Sequence, residues 1–455
     1  MSSKRLATNN NQLPEGYKKT EVGVIPEDWE AKLLGDIFRL KNGFSFKSEY
    51  FSSSGPIVLP PGNFKLDGGL YFNDRNIKRY SGGFPESMTF KNRDLLVVMT
   101  DLTPDCNLLG KPAFVDSEET ILHNQRIGKI NLLSENINPI FLYFILLSSP
   151  YLKKIKEQAT GSTVRHTSNK SIYSISLPIP KTKEEQKAIA QTLSEVDALI
   201  ATLVKHIAKK RNIKTGTMQQ LLTGKTRLPG FGEGKGYKKT EVGVIPEDWK
   251  ISHISNLTLS HKQGYYTKEK YVVNGTRLVR ITDLYNPKID YESMPMLSIS
   301  DKDFEQYKIA IGDFLFARSG AIGRYGIVKD KINAIFGSYI IRFNFKTDRL
   351  LNDFFGYLFE TKIIFNQLLS ITQGSSNINI NAGNIKSLKI ALPSITEQQA
   401  LAQVLSDMDK EITALEKRRA KTQAIKQGMM QELLTGRTRL KIEHPDDPIT
   451  KNSNG

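Results

Sequence analysis

The chain has 455 residues, 39% of them hydrophobic and 24% charged, a globular composition long enough for three or four domains. A single cysteine, Cys106, excludes a disulfide framework and a cysteine-based zinc site and reads as a small buried apolar residue. No run reaches the ~18 apolar residues of a membrane span. The first residues lack the apolar core of a signal peptide, so a cytoplasmic location is expected. Sixty-four Lys and Arg against 47 acids give a net charge of +17, which points to a polyanionic partner, most simply nucleic acid.

Residues 1 to 15 are polar and Asn-rich, and a disordered N-terminus is expected. Residues 16 to 29 then read Gly-Tyr-Lys-Lys-Thr-Glu-Val-Gly-Val-Ile-Pro-Glu-Asp-Trp, and residues 236 to 249 repeat the same letters. The chain is therefore a tandem duplication, and the two copies of this box carry both tryptophans, Trp29 and Trp249. Pro26 should break any regular element, and the Glu and Asp of the box read as surface turn residues. Each tryptophan should anchor its segment on a neighbouring surface.

From about Lys32 to Pro180 short β-like runs alternate with turns. Leu95 to Met99 reads as a buried strand, and Ile172 to Ile179 as another that ends at prolines. Between them Phe141 to Leu147 reads as a buried helix stopped at Pro150. From Lys183 to Leu222 there is no proline and one glycine, Gly216. Ile189, Leu193, Val196, Ile200, Leu203 and Ile207 step in threes and fours, the seam of a helix packed along another helix. Ile213, Met218 and Leu221 should continue this face with a slip, and Gly224 should cap the end. At ~1.5 Å per residue this helix would be roughly 60 Å long. A Gly-rich linker, residues 229 to 235, leads into the second box.

The second half repeats the plan. Asp313 to Ala317 echoes Asp94 to Val98, and Asn352 to Phe359 echoes the helix at Phe141. Gly374-Ser375-Ser376 before a strand from Ser387 to Leu392 echoes Gly161-Ser162-Thr163 before Ile172 to Leu177. A second long helix from Thr396 to Leu434 carries Leu401, Leu405, Met408, Ile412 and Leu415 on its seam. Leu433-Leu434-Thr435-Gly436 matches Leu221-Leu222-Thr223-Gly224. Residues 441 to 455 should be a disordered tail. Boxes and helices match between the halves, whereas the regions between them keep only a skeleton.

This order of box, variable region and long helix ending at Leu-Leu-Thr-Gly, run twice, resembles the specificity subunit of type I restriction–modification systems over about residues 16 to 440. The resemblance implies an α+β fold in which two mixed α/β target recognition domains are separated by two long helices. The helices would pack as an antiparallel coiled coil within a pseudo-twofold internal repeat. It implies target recognition domains at 16–180 and 236–393, and conserved helices at 181–228 and 394–440. Each domain would read one half of an interrupted, asymmetric DNA site, and the helical pair would set the spacing and dock two methyltransferase subunits. Restriction subunits would join the full complex. No cofactor is expected.

The side chains suited to base edges are Arg, Lys, Asn and Gln in turns. In the first domain the candidates are Lys41, Asn42, Phe44 and Lys47; Asn124, Gln125 and Arg126; and Ser162, Thr163, Arg165 and His166. His166 and His123 read as structural or phosphate-binding rather than catalytic. In the second domain the candidates are Lys262, Gln263, Tyr265 and Tyr266; Arg318, Ser319 and Arg324; Ser338 and Tyr339; and Gln373, Ser375, Ser376 and Asn377. The seam residues Ile189, Leu193, Val196, Ile200 and Leu203, with Leu401, Leu405, Met408, Ile412 and Leu415, are the candidate partner-binding set. The basic clusters Lys205, Lys209, Lys210, Arg211, Lys214 and Lys417, Arg418, Arg419, Lys421, Lys426 are either a solvated face or a surface for phosphates or acidic partners.

Autonomous catalysis finds no support in the motifs. Asn138-Pro139-Ile140-Phe141 lacks the second proline of an amino-methyltransferase motif, and Asn286-Pro287-Lys288 is no closer. Gly230 to Gly236 lacks a preceding strand, and no Walker A motif is present. The nuclease-like string Pro26 to Lys32 is lost in the second copy, where Trp249 is followed by Lys250 and Ile251. No metal-ligand cluster is apparent. The competing reading is a coiled-coil scaffold or a general DNA-binding protein without half-site reading.

Overall fold

The computed structural model describes residues 13–103, 105–319, 323–372 and 380–441. Of the two ends expected to be disordered, residues 1–12 and 442–455 lie outside these. The chain divides into two compact units, residues up to Thr202 with those from Arg418 onward, and Leu203–Lys417. Both long helices, Lys183–Leu221 and Ile395–Leu433, run through both units. Each unit therefore holds one recognition domain and a half of each helix.

The two domains share one topology. In the first, a four-stranded antiparallel sheet runs Phe38–Asn42, Ile127–Leu132, Leu95–Val98, Pro112–Phe114. In the second, Thr258–Gln263, Ile340–Phe345, Phe314–Ala317 and Tyr325–Ile327 occur in the same order. Each domain adds a three-stranded sheet with one parallel pair, Phe51–Val58 with Ile121–Leu122 and Thr276–Val279 with Ala334–Phe336.

The box is a β-hairpin, Tyr17–Thr20 against Gly23–Pro26 and Tyr237–Thr240 against Gly243–Pro246. Pro26 thus closes a strand rather than forbidding one, because the last position of a short edge strand needs no ladder N–H.

Three expected elements differ. The run from Ile172 opens as a helix, Asn169–Tyr173, because the Ser168 hydroxyl accepts from the Ser171 N–H and caps it. The strand is Ser176–Pro180, so Pro178 and Pro180 lie inside it, paired with Trp29–Leu33 in a sheet of only two strands. Likewise Ser387 ends a helix, Ala382–Ser387, and the strand starts at Lys389. Pro150 does not stop the helix Pro139–Ile145; it sits in the first turn of the next, Ser149–Glu157, where a missing N–H costs nothing.

In the first unit the core gathers Trp29, Phe38, Phe141, Phe144 and Tyr151 with Ile189, Leu193, Leu433 and Leu434 of the long helices. In the second it gathers Trp249, Phe314, Phe343 and Phe354 with Met218, Leu222, Leu401 and Leu405. Each domain is thus packed directly on the helical pair. Within the second unit Lys210 pairs with Glu411 at 2.7 Å and Lys214 with Asp409 at 2.7 Å, so numbers rise on one helix as they fall on the other. The helices there are antiparallel. Ile213 leaves the seam and is 44% exposed, while Met218 and Leu221 remain buried, so the slip past Ile207 omits it. Cys106 is buried. Among the described residues no helix is long and apolar enough to cross a membrane, and no His, Cys, Asp or Glu group could hold a metal ion.

Candidate nucleic-acid interface

Each domain is fixed to the helices through its box. Trp29 is fully buried, and its indole N–H donates to Glu185 Oε2 at 3.1 Å, in the first turn of the long helix. Arg439, just past the other helix, donates to both Glu185 oxygens at 2.6 and 2.9 Å and to both Asp28 oxygens at 2.8 and 2.7 Å. The second unit repeats the clamp: Trp249 donates to Glu397 at 3.1 Å, and Arg227 bridges Glu397 and Asp248. The Arg439 hydrogen bonds hold the Asp28 carboxyl below its usual range despite partial burial, and Arg227 does the same for Asp248. The aspartates of the box are therefore more than surface turn residues.

Glycine at the helix ends is obligatory. Gly224 and Gly436 adopt φ of 70° and 71°, and an added Cβ would lie 2.5 Å from Pro246 Cδ and Pro26 Cδ respectively.

Away from the clamp, strand register brings the turn residues together. In the first domain Asn42 lies opposite Gly128, Ile127 opposite Val98, and Val97 opposite Pro112. The ends of Phe38–Asn42 and Leu95–Val98 and the starts of Ile127–Leu132 and Pro112–Phe114 therefore meet at one end of the sheet. Beyond it, the Phe44 N–H donates to His123 O at 2.7 Å and the Gln125 N–H to Phe44 O at 3.0 Å. Gly43 permits this: a Cβ there would lie 2.2 Å from Asn124 O. The Met99 N–H donates to Arg126 O at 2.9 Å, and His166 pairs with Thr100. Lys41, Asn42, Phe44, Gln125, Arg126, Arg165 and His166 thus converge.

Several of these side chains are partly committed. Asn124 Oδ1 accepts from the Arg126 N–H at 2.9 Å, the turn role of an Asn, and Lys41 Nζ donates to Ser87 O at 2.6 Å. His166 Nδ1 lies 3.1 Å from Thr100 Oγ1. Arg165 donates to Gly161 O at 3.0 Å, while its Nε is buried with no hydrogen-bond partner among the described residues. Gln125, Lys47, Ser162 and Thr163 are exposed. His123 is buried, its Nε2 2.8 Å from Ile127 O; burial lowers its pKa to about 4, so it is neutral near pH 7 and structural.

The second domain places its candidates at the same sheet end. Gln263 lies opposite Ile341, Ala317 opposite Ile340, and Phe316 opposite Tyr325. Gly264 takes the place of Gly43, and a Cβ there would lie 2.1 Å from Gly337 O. The Tyr265 N–H donates to Phe336 O at 2.8 Å, Gln263 Nε2 to Ser338 O at 3.4 Å, and the Arg318 N–H to Tyr339 O at 2.9 Å. Lys262 lies over the Tyr307 ring at 4.6 Å, and Tyr266 and Tyr339 are 67% and 62% exposed. A hollow lined by Lys262, Gln263, Arg318 and Asn381 opens beside them. Ser319 follows Arg318, and Arg324 is exposed just before Tyr325. Gln373, Ser375, Ser376 and Asn377 lie outside the described residues.

Residues 26–211 and 246–427 match the family model described as the type I restriction modification DNA specificity domain. The chain belongs to that family. Each match is one specificity domain with much of the helix that follows it, so the chain carries two. It is 26% identical over 438 residues to the type I restriction enzyme MjaVIII specificity subunit of Methanocaldococcus jannaschii, covering 94% of this chain and 97% of that one. It is 25% identical over 411 residues to the EcoBI specificity subunit of Escherichia coli, covering 86% and 82%. Among solved structures, the S subunit of the type I restriction-modification system from M. genitalium is similar in fold, with a TM-score of 0.54, 16% identity, and coverage of 94% and 98%.

The seam residues lie differently from the other specificity-family candidates. Ile189, Leu193, Leu203, Leu401, Leu405 and Ile412 are buried, and Val196, Ile200, Met408 and Leu415 half-buried, within their own units. The basic clusters are partly neutralised: Lys210, Arg211 and Lys214 pair with Glu411, Glu416 and Asp409, and Lys426 with Asp197. Two features escape sequence reasoning. One is the Arg227 and Arg439 clamp, whose signal is the repeated Thr-Arg-Leu after each Leu-Leu-Thr-Gly. The other is Lys111, which stands before Pro112 as Arg324 stands before Tyr325.

Proposed function

We propose that the two specificity domains read two different half-sites of an interrupted, asymmetric DNA target. One observation carries this reading: a shared sheet frame presents different side chains at the same end in the two domains. The first offers Lys41, Asn42, Gln125, Arg126 and His166; the second offers Lys262, Gln263, Arg318, Ser338 and Tyr339. Identical readers would demand a palindrome, and these are not identical. Arg, Lys, Asn and Gln are the side chains that discriminate base edges in the major groove.

In this reading residues 16–180 and 236–393 are the readers, and the helices within 181–228 and 394–440 set the spacing of the half-sites. A 39-residue helix is about 59 Å long, more than one ~34 Å turn of DNA. The helices also dock the methyltransferase subunits, which supply the chemistry, and restriction subunits join that complex. Because the seam is spent inside the chain, docking falls to apolar side chains that the helices leave outside. These are Val204 and Ile213 in the second unit and Leu199 and Ile425 in the first.

The test is a gel shift of the chain with its modification partner on mixed-sequence duplexes, combined with mapping of methylated sites. The expected result is preference for, and methylation of, one interrupted site. Salt-sensitive binding without sequence preference, and no modified interrupted site, would overturn the proposal.

A further inference from the structure

Lys111 immediately precedes strand Pro112–Phe114, at the same sheet end as the candidate reading segments. Its carbonyl accepts from the Val98 N–H at 3.0 Å, as the Arg324 carbonyl accepts from the Ala317 N–H at 3.0 Å in the second domain. Each follows a left-handed glycine, Gly110 at φ 76° and Gly323 at φ 90°. Lys111 and Arg324 therefore occupy one position of the shared frame.

Their surroundings differ. Arg324 is exposed, whereas Lys111 is half-buried and lines a cavity of about 360 Å3 with Asn107, Lys153 and Lys156. Lys153 and Lys156 lie three apart on helix Ser149–Glu157 and so share a face. Among the described residues neither Lys111 nor Lys156 makes an ion pair, and Lys153 has only Glu157 at 3.8 Å. Burial, and then repulsion from Lys156, lower the Lys111 pKa, with partial relief from Asp67, which lines the adjoining larger hollow. In helix Lys362–Thr372 of the second domain the fifth and eighth residues are Asn366 and Leu369 instead of lysines. Three cations gathered around a cavity, two of them without a carboxylate partner, suit an anion that neutralises them together.

We propose that this cavity seats a phosphodiester of the DNA backbone beside the half-site read by the first domain, with Lys111, Lys153 and Lys156 around it. The assignment rests on the two-reader function. It adds a contact that positions the duplex without reading its sequence.

The experiment measures affinity of the full chain with its modification partner for mixed-sequence duplex across a salt series. Removing a lysine that neutralises a phosphate makes the slope of log K against log salt shallower by about one. Lys156→Gln, on the exposed rim, should lower the slope by about one, and Lys111→Gln with Lys156→Gln by up to about two. The loss should be alike on all sequences, and Lys111→Arg with Lys156→Arg should keep the original slope. An unchanged slope while the unaltered chain still binds would overturn the cavity assignment alone. A lost affinity for the modification partner in place of the slope change would also overturn it, assigning the cavity to an acidic protein surface. Failure of the unaltered chain to bind any duplex would remove the two-reader function, and this site with it.

Discussion

Arg227 and Arg439 each hold two carboxylates at once, which a lysine cannot do in the same geometry. Arg227 lies 11% exposed over Glu397, itself 2% exposed, while Arg439 is 37% exposed over Glu185 at 4%. Truncating Arg227 would strand a buried carboxylate that Trp249 alone cannot satisfy. Arg227→Ala is expected to cost roughly 3–5 kcal/mol, the cost of breaking a buried pair by removing one partner. Arg439→Ala should cost less, because its pair is more open to solvent. Denaturant unfolding of both variants checks the order, and equal small losses would contradict the clamp. The tryptophans and glycines of this clamp were legible as repeated letters. The arginines were not, because the buried glutamates they hold, Glu397 and Glu185, lie more than 150 residues away in sequence.

The elements show where sequence periodicity is trustworthy and where it fails. Both long helices appear within a residue of their expected ends, since a seam of Ile, Leu and Val without proline allows little else. Short elements differ where local chemistry decides the outcome: the Ser168 hydroxyl caps one helix, and Pro150 fits the first turn of another. The recognition turns were visible as residue types. Their convergence was not, because it depends on strand register and on the close approaches at Gly43 and Gly264.

The second domain is also tied to the helices by a polar network. Tyr357 OH donates to Asp409 Oδ2 at 2.9 Å, Lys214 Nζ to the same carboxylate at 2.7 Å, and Tyr325 OH to Glu360 at 2.9 Å. The first domain has the simpler form, Lys426 with Asp197 at 2.6 Å beneath the Phe144 ring. Tyr357→Phe copies that form and should destabilise by about 1 kcal/mol, one hydrogen bond to a carboxylate still served by Lys214. A thermal melt checks it; a loss of several kcal/mol would show that the network is cooperative beyond this bond.

At the scale of the molecule, duplication sets constancy against divergence. The boxes, the clamp arginines and the helix ends repeat side chain for side chain, while the reading ends of the sheets repeat only their backbone. A constant frame can thus carry readers that differ, and each domain should be exchangeable as a unit. The direct test replaces residues 31 to 180 with the corresponding domain of another family member and maps the methylated sites made with the same modification partner. One half-site should change while the other half-site stays. A change in both halves together, or in neither, would contradict it.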